Sequence, residues 1–122
     1  HTIAVRTNTL NGYTVNVQGD TLTSGLNTIT PIGGTNTTPV VGTNQFGLRM
    51  VASGGVGAVT SPYGALGFAY AGSASSSSQV ASASTGDNAT TTYSVRYVAN
   101  VTGATTVGEY VTNLVYVATA NF

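Results

Sequence analysis

The sequence predicts an all-β fold: a β-sandwich of Ig-like or jelly-roll type, about seven to nine strands with essentially no helix. Three observations predict it. Residues 91–101 alternate strictly, with Tyr93, Val95, Tyr97, Ala99 and Val101 on one side and Thr92, Ser94, Arg96, Val98 and Asn100 on the other. A period of two marks a strand with one face in a core. Turn residues punctuate the rest at short intervals (Gly19-Asp20, Ser24-Gly25, Gly33-Gly34, Gly42, Gly54-Gly55, Ser61-Pro62). No segment combines the helical apolar period with capping residues. The length of 122 residues fits one domain, residues 1–122, with a core that needs no covalent staples.

Taken in order, residues 2–18 read as a hairpin. Ile3 and Val5 alternate with polar neighbours, as do Tyr13, Val15 and Val17, and Asn11-Gly12 between them is the pair that favours a type I′ turn. That turn would set Leu10 opposite Tyr13. Residues 19–45 are turn-rich, with short strands expected near 21–23, 27–30 and 39–41. Residues 46–51 form a better strand, with Phe46, Leu48 and Met50 on one face. Residues 54–57 read as a loop and Ser61-Pro62-Tyr63-Gly64 as a turn. Residues 65–71 read as a strand of small side chains. The serine-rich stretch 73–84 fits a surface loop or an edge strand, with Val80 its one large apolar residue. After residues 91–101 and a glycine-containing turn, residues 109–119 read as a strand apolar on both sides. Tyr110, Leu114, Tyr116 and Ala118 share one face; Val111, Val115 and Val117 share the other. Such a strand needs two partners. The chain's own core can be one, and a second copy of the chain can be the other.

Composition narrows the function classes. Charged residues make up 5% of the chain, against about 25% in ordinary domains, and no lysine occurs. Net charge is zero, so the electrostatic footprint of a nucleic-acid or anionic-membrane binder is missing. Cysteine is absent, which removes disulfides and thiol chemistry, and no apolar run has the length of a membrane-spanning helix. The chain begins with His1 rather than Met and is rich in Thr, Ser and Gly. We read it as a processed, extracellular protein of the cell surface.

Catalytic and cofactor chemistry find little support. An N-terminal histidine on a β-sandwich resembles the copper-brace polysaccharide monooxygenases, but that site needs a second histidine and this chain has one. The three acids, Asp20, Asp87 and Glu109, are scattered, whereas a glycosidase sets two across a cleft. Asp20 and Asp87 sit in turn contexts, where a calcium site with loop carbonyls is the functional alternative to simple turn capping. No nucleophile elbow or phosphate loop occurs. We therefore expect no enzyme, no metal and no cofactor. Of the tyrosines, Tyr93, Tyr97, Tyr110 and Tyr116 follow core alternation. Tyr63 and Tyr70 are the freest and are the first candidates for stacking on a sugar. Three sequons, at Asn36, Asn88 and Asn100, are candidate glycosylation sites, with Asn36 and Asn88 expected in loops.

Two blocks carry a resemblance. Val5, Thr7, Asn8, Gly12, Tyr13, Val15 and Val17 resemble an opening of the form V-x-T-N-x-x-x-G-Y-x-V-x-V. Tyr93, Val95 and Tyr97, followed by Gly108, Tyr110, Leu114, Tyr116, Ala118 and Thr119, resemble the ending of the same group. Both blocks are similar to small β-sandwich proteins of bacterial cell surfaces. The ending alone is also similar to the last strand of fimbrial and spore-coat-U-like subunits. The chain departs from the fimbrial pattern at Asn113, where an acid is usual, and in lacking a disulfide. It also starts almost on the opening block, where the surface proteins run one more strand upstream.

The resemblance implies a sandwich one strand short, completed by a neighbour. Edge strands invite such pairing when lysine, proline or inward charges do not protect them. The expected function is that of a structural subunit of an extracellular filament, pilus or surface layer, a homopolymer held by strand complementation. Ile3 and Val5 (residues 1–8), or Val111, Val115 and Val117 (residues 108–121), would fill the next copy. The alternative is a monomeric secreted module that binds surface glycans.

Overall fold

The computed structural model describes residues 1–122 apart from the side chain of Asp87. Eleven strands and no helix occur among them: β1 (Thr2–Thr7), β2 (Tyr13–Gly19), β3 (Thr23–Ser24), β4 (Asn27–Thr28), β5 (Gly33–Thr37), β6 (Gln45–Gly54), β7 (Ala58–Val59), β8 (Phe68–Tyr70), β9 (Ser73–Ala83), β10 (Asp87–Asn100) and β11 (Val115–Ala120). One sheet has the order β1-β10-β6-β8-β5 and the other β11-β2-β9-β7, with β3-β4 as a small separate hairpin. The β-sandwich expected from the sequence is what forms. The strand number exceeds the expectation because three strands are only two residues long.

The alternating residues explain the layering. Tyr13, Val15 and Val17 of β2 and Val80, Ala81 and Ala83 of β9 meet Phe46, Leu48 and Met50 of β6 and Tyr93 and Val95 of β10 in one buried cluster. A pair of hydrogen-bonded phenols, Tyr13 Oη and Tyr93 Oη at 2.8 Å, links the two sheets inside it. Strands β6 and β10 stay in register without interruption from Gln45↔Asn100 to Gly54↔Thr91, which makes this pair the spine of the larger sheet.

Several local expectations are corrected. Residues 2–18 do not form a hairpin. Strand β1 pairs with β10 and β2 with β11 and β9, so the connection crosses from one sheet to the other. Gly12 has φ of 70° while Asn11 has none of the positive φ that a type I′ turn demands of both residues. The turn closes instead from Gly12 N–H to the Thr9 carbonyl, 3.3 Å, and leaves Leu10 in solvent. The strand expected at 39–41 is a turn closed by Thr43 N–H on the Val40 carbonyl. Strands β5 and β7 arise where loop was expected, and residues 65–71 give only β8. The serine stretch is β9, with Val80 0% exposed. Residues 109–114 do not continue the last strand: Val111 exchanges one pair of backbone hydrogen bonds with Thr23, both 2.9 Å, as the chain returns to the smaller sheet.

Candidate functional site

Strands β1 and β11 are outer strands of different sheets, and they lie on one flank of the sandwich. His1, just ahead of β1, has its ring 5.7 Å from that of Tyr116 on β11. At the other end of the flank, Asn121 donates its N–H to the Gly12 carbonyl at 2.9 Å. Each strand has a sheet partner on one side only.

The two edges differ in protection. Strand β1 is blunted by a register shift between Val5 and Thr7 and by the exposed Arg6; bulges and charges of this kind discourage pairing. Strand β11 pairs with β2 through six successive residues, Val115↔Gln18 to Ala120↔Tyr13, with no bulge. Its sequence VYVATA carries neither charge nor proline. Val115 and Val117 stand on its outer face, 58% and 50% exposed. Val111, in the preceding connection, is exposed too. Ile3 and Val5 point the other way and pack, partly buried, against the chain's own core.

Between the lower ends of the two strands lies a cavity of about 370 Å³ lined by His1, Phe46, Tyr97, Thr112, Leu114 and Tyr116. It exists because β10 outruns the smaller sheet. The core-side positions of β10 are covered as far as Val95, but Tyr97 is 39% exposed and Ala99 is open to solvent. The sequence had placed Tyr97 and Ala99 with the core. The Tyr97 ring runs nearly parallel to Phe46 (6.2 Å between centres, 5° between planes) and stacks on His1 at 5.4 Å. The Tyr97 and Tyr116 hydroxyls are 2.9 Å apart. Burial raises both phenols above the ordinary tyrosine value. The hydrogen bond to Tyr97 pushes Tyr116 further up, and the same bond pulls Tyr97 partly back. Both therefore stay protonated near neutral pH. The cavity offers aromatic faces, two phenol hydroxyls and the His1 imidazole, a set of groups that can bind a ligand.

The remaining candidates separate. Tyr63 and Tyr70 are not free: they are 2% and 3% exposed. The Tyr63 hydroxyl donates to Ser78 Oγ at 2.8 Å and the Tyr70 hydroxyl to the Gly19 carbonyl. Their turn-rich surroundings suggested surface, but the aromatic rings fill the sandwich and their hydroxyls satisfy polar groups there. Asn36 and Asn88 lie in β5 and β10 rather than in loops. Asn36 is held at both ends of its amide, donating to the Pro62 carbonyl at 2.9 Å and accepting from Gly67 N–H at 3.1 Å. Asn100 ends β10 and donates to the Val40 carbonyl at 3.2 Å. The Asp20 carboxylate accepts the Ala74 N–H of β9 at 3.1 Å, a long-range contact and not the capping of its own turn that the sequence suggested. The side chain of Asp87 lies outside the described residues. Among the described residues no cluster of three or more metal-ligating side chains occurs, and no helix is long and apolar enough to cross a membrane.

Sequence reasoning missed the cavity. Its signal was the length mismatch between the long β10 pattern and the shorter strands of the opposite sheet, which becomes visible only once the strands are assigned to sheets. No family model, curated protein or solved structure matches the chain. The likeness of its two end blocks to surface and fimbrial subunits thus rests on their residues alone.

Proposed function

We propose that the protein is a structural subunit of an extracellular filament or surface layer, whose copies join by β-strand complementation along the flank of β1 and β11. The observation that carries this reading is the β11 edge: six residues in unbroken register, without charge, bulge or proline, and with two exposed valines on its outer face. Monomeric β-proteins protect such edges, and an unprotected one templates pairing with another chain. Addition of one copy to the next through unlike surfaces does not close and so extends into a fibre. The near absence of charge supports the same reading, since little repulsion opposes close packing of copies.

Electron microscopy of the purified protein tests it directly. Wild-type protein should give fibres or two-dimensional arrays of regular spacing, and Val117→Lys should give dispersed particles with unchanged secondary structure. Dispersed wild-type particles at all concentrations, or arrays indifferent to the substitution, overturn the proposal.

A second reading, a secreted module that binds neutral glycans, is favoured by one observation: the cavity walled by Tyr97, His1 and Tyr116, with hydroxyls beside aromatic faces. Saturable quenching of tyrosine fluorescence by methyl glycosides, abolished in Tyr97→Ala, supports that reading. Identical spectra with and without sugar refute it.

A further inference from the structure

All three of the chain's basic side chains lie on one face. Arg6 of β1, Arg49 of β6 and Arg96 of β10 occupy the alternate positions opposite to Val5, Leu48, Met50, Val95 and the other core residues, which places them on the outer face of the five-stranded sheet. Arg49 and Arg96 are direct cross-strand partners. Like charges set opposite one another destabilise a sheet, and in a chain with so few charges this juxtaposition is conspicuous. No acid stands among the neighbouring outward pairs, which are Ser94↔Val51 and Val98↔Gly47, and beyond them Thr92↔Ser53.

Arg49 is also held in place. Its Nη1 donates to the Leu66 carbonyl at 2.7 Å, and its Cζ lies 5.2 Å from the centre of the Phe68 ring. Its Nε is buried without a hydrogen-bond partner. A guanidinium has five N–H donors; with Nε buried and one Nη1 hydrogen engaged, the remaining Nη hydrogens of this held arginine, with the exposed Arg96 on the next strand, are donors for an oxyanion.

We propose that Arg49 and Arg96 form a binding site for the carboxylate or sulfate groups of an acidic polysaccharide lying along the outer face of the larger sheet. The two arginines stand on adjacent strands, Arg49 drawn toward β8 and Arg96 on β10, so each can take an acidic group of the polymer through charge-assisted hydrogen bonds. The pair is bordered by the outward positions of Thr92, Ser94 and Ser53, whose hydroxyls suit a sugar chain. Arg6 lies beside residues 88–90 of β10, roughly 20–27 Å from Arg96 at about 3.4 Å per residue, so an extended polymer reaches all three cations. Nucleic acid fits less well, because the chain has no lysine and no net positive charge to neutralise a run of phosphates.

The test uses the full chain with dextran sulfate, polygalacturonate, neutral dextran and inorganic sulfate as probes, at low ionic strength. Saturable binding of at least one acidic polymer, with none of neutral dextran, is expected. It should weaken about tenfold or more in Arg96→Glu, since a charge-assisted pair is lost and a like charge is set against the polymer. The same variant should melt no lower than wild type, because it replaces a repulsive cross-strand pair by an attractive one; a retained melting point separates lost binding from lost fold. Arg49→Gln should weaken binding similarly. Binding of neutral and acidic polymers alike, binding unchanged in both variants, or binding of inorganic sulfate alone would each overturn the proposal.

Discussion

Gly12 stands at φ 70°, and a Cβ placed there would meet the Ala83 carbonyl oxygen at 2.1 Å. The left-handed backbone and the close approach of β9 both demand glycine, and the residue closes the connection by which the chain changes sheets. Gly12→Ala should cost about 2–3 kcal/mol, from positive-φ strain and a backbone clash together, read as a lowered denaturant midpoint with an unchanged slope. Tyr70 makes a pH prediction. Burial, chiefly, pushes its phenol up to about 12, against about 10 in an unfolded chain. A folded value above the unfolded one means that the stability held by the neutral phenol is complete below pH 10 and is lost as pH rises through about 12. Chemical denaturation at several pH values should show this alkaline decline in wild type, and a shallower decline in Tyr70→Phe.

At the scale of elements, β9 shows how little apolar content a strand needs when its neighbours are fixed. Its first half is serine, yet β2 pairs along its length, with two register shifts, and Val80 anchors it at 0% exposure. Strand β7 covers it only at Ala81 and Ser82. Val80→Ala removes the anchor and should cost about 2 kcal/mol, the transfer of the lost methyl groups plus the cavity they leave, with amide exchange rising first across residues 73–83. Strand β11 makes the opposite case. It has apolar residues to spare, and its outer valines leave half or more of their surface uncovered within one copy. Val117→Lys should therefore change thermal stability by less than about 0.5 kcal/mol, as exposed substitutions do, while removing self-association. A large loss of stability in this variant would mean that Val117 has a partner inside the fold.

For the whole molecule, the arrangement of the termini matters most. The chain's first and last strands end up as outer strands on the same flank, β1 on β10 and β11 on β2. Strand β1 is attached to the rest of its sheet by one ladder and is followed by an exposed turn, so the proposed assembly predicts that it can be removed and supplied again from outside. A chain lacking residues 1–8 should melt lower than wild type, having lost the packing of Ile3 and Val5. A synthetic peptide of those residues should restore the melting point in a concentration-dependent way. The same peptide carrying Ile3→Asn and Val5→Asn should not. Failure of the native peptide to stabilise the truncated chain would show that β1 cannot act in trans.

The fold class and the strongest strands were legible in the sequence because alternation is a local signal. Tyr13, Val15 and Val17, then Phe46, Leu48 and Met50, then Tyr93 and Val95, each declared a core face within a few residues. The sequence read residues 109–119 as one strand apolar on both faces; the strand runs only over Val115–Ala120, with Val115 and Val117 exposed. Pairing was not legible. Asn11-Gly12 has the residues of a tight hairpin, but burying Ile3 and Val5 beneath the smaller sheet while β2 lies within that sheet forces the chain to cross, and the turn yields. Tyr63 and Tyr70 looked free and are buried, while Tyr97 looked buried and lines a cavity. In each case what decided the matter was which strand of the other sheet lies above the ring, a contact between residues far apart in the chain. The sequence by itself determined which residues face inward along each strand, since that depends on a period of two; only the tertiary structure decided which strands are edges, because an edge is defined by the partner a strand lacks.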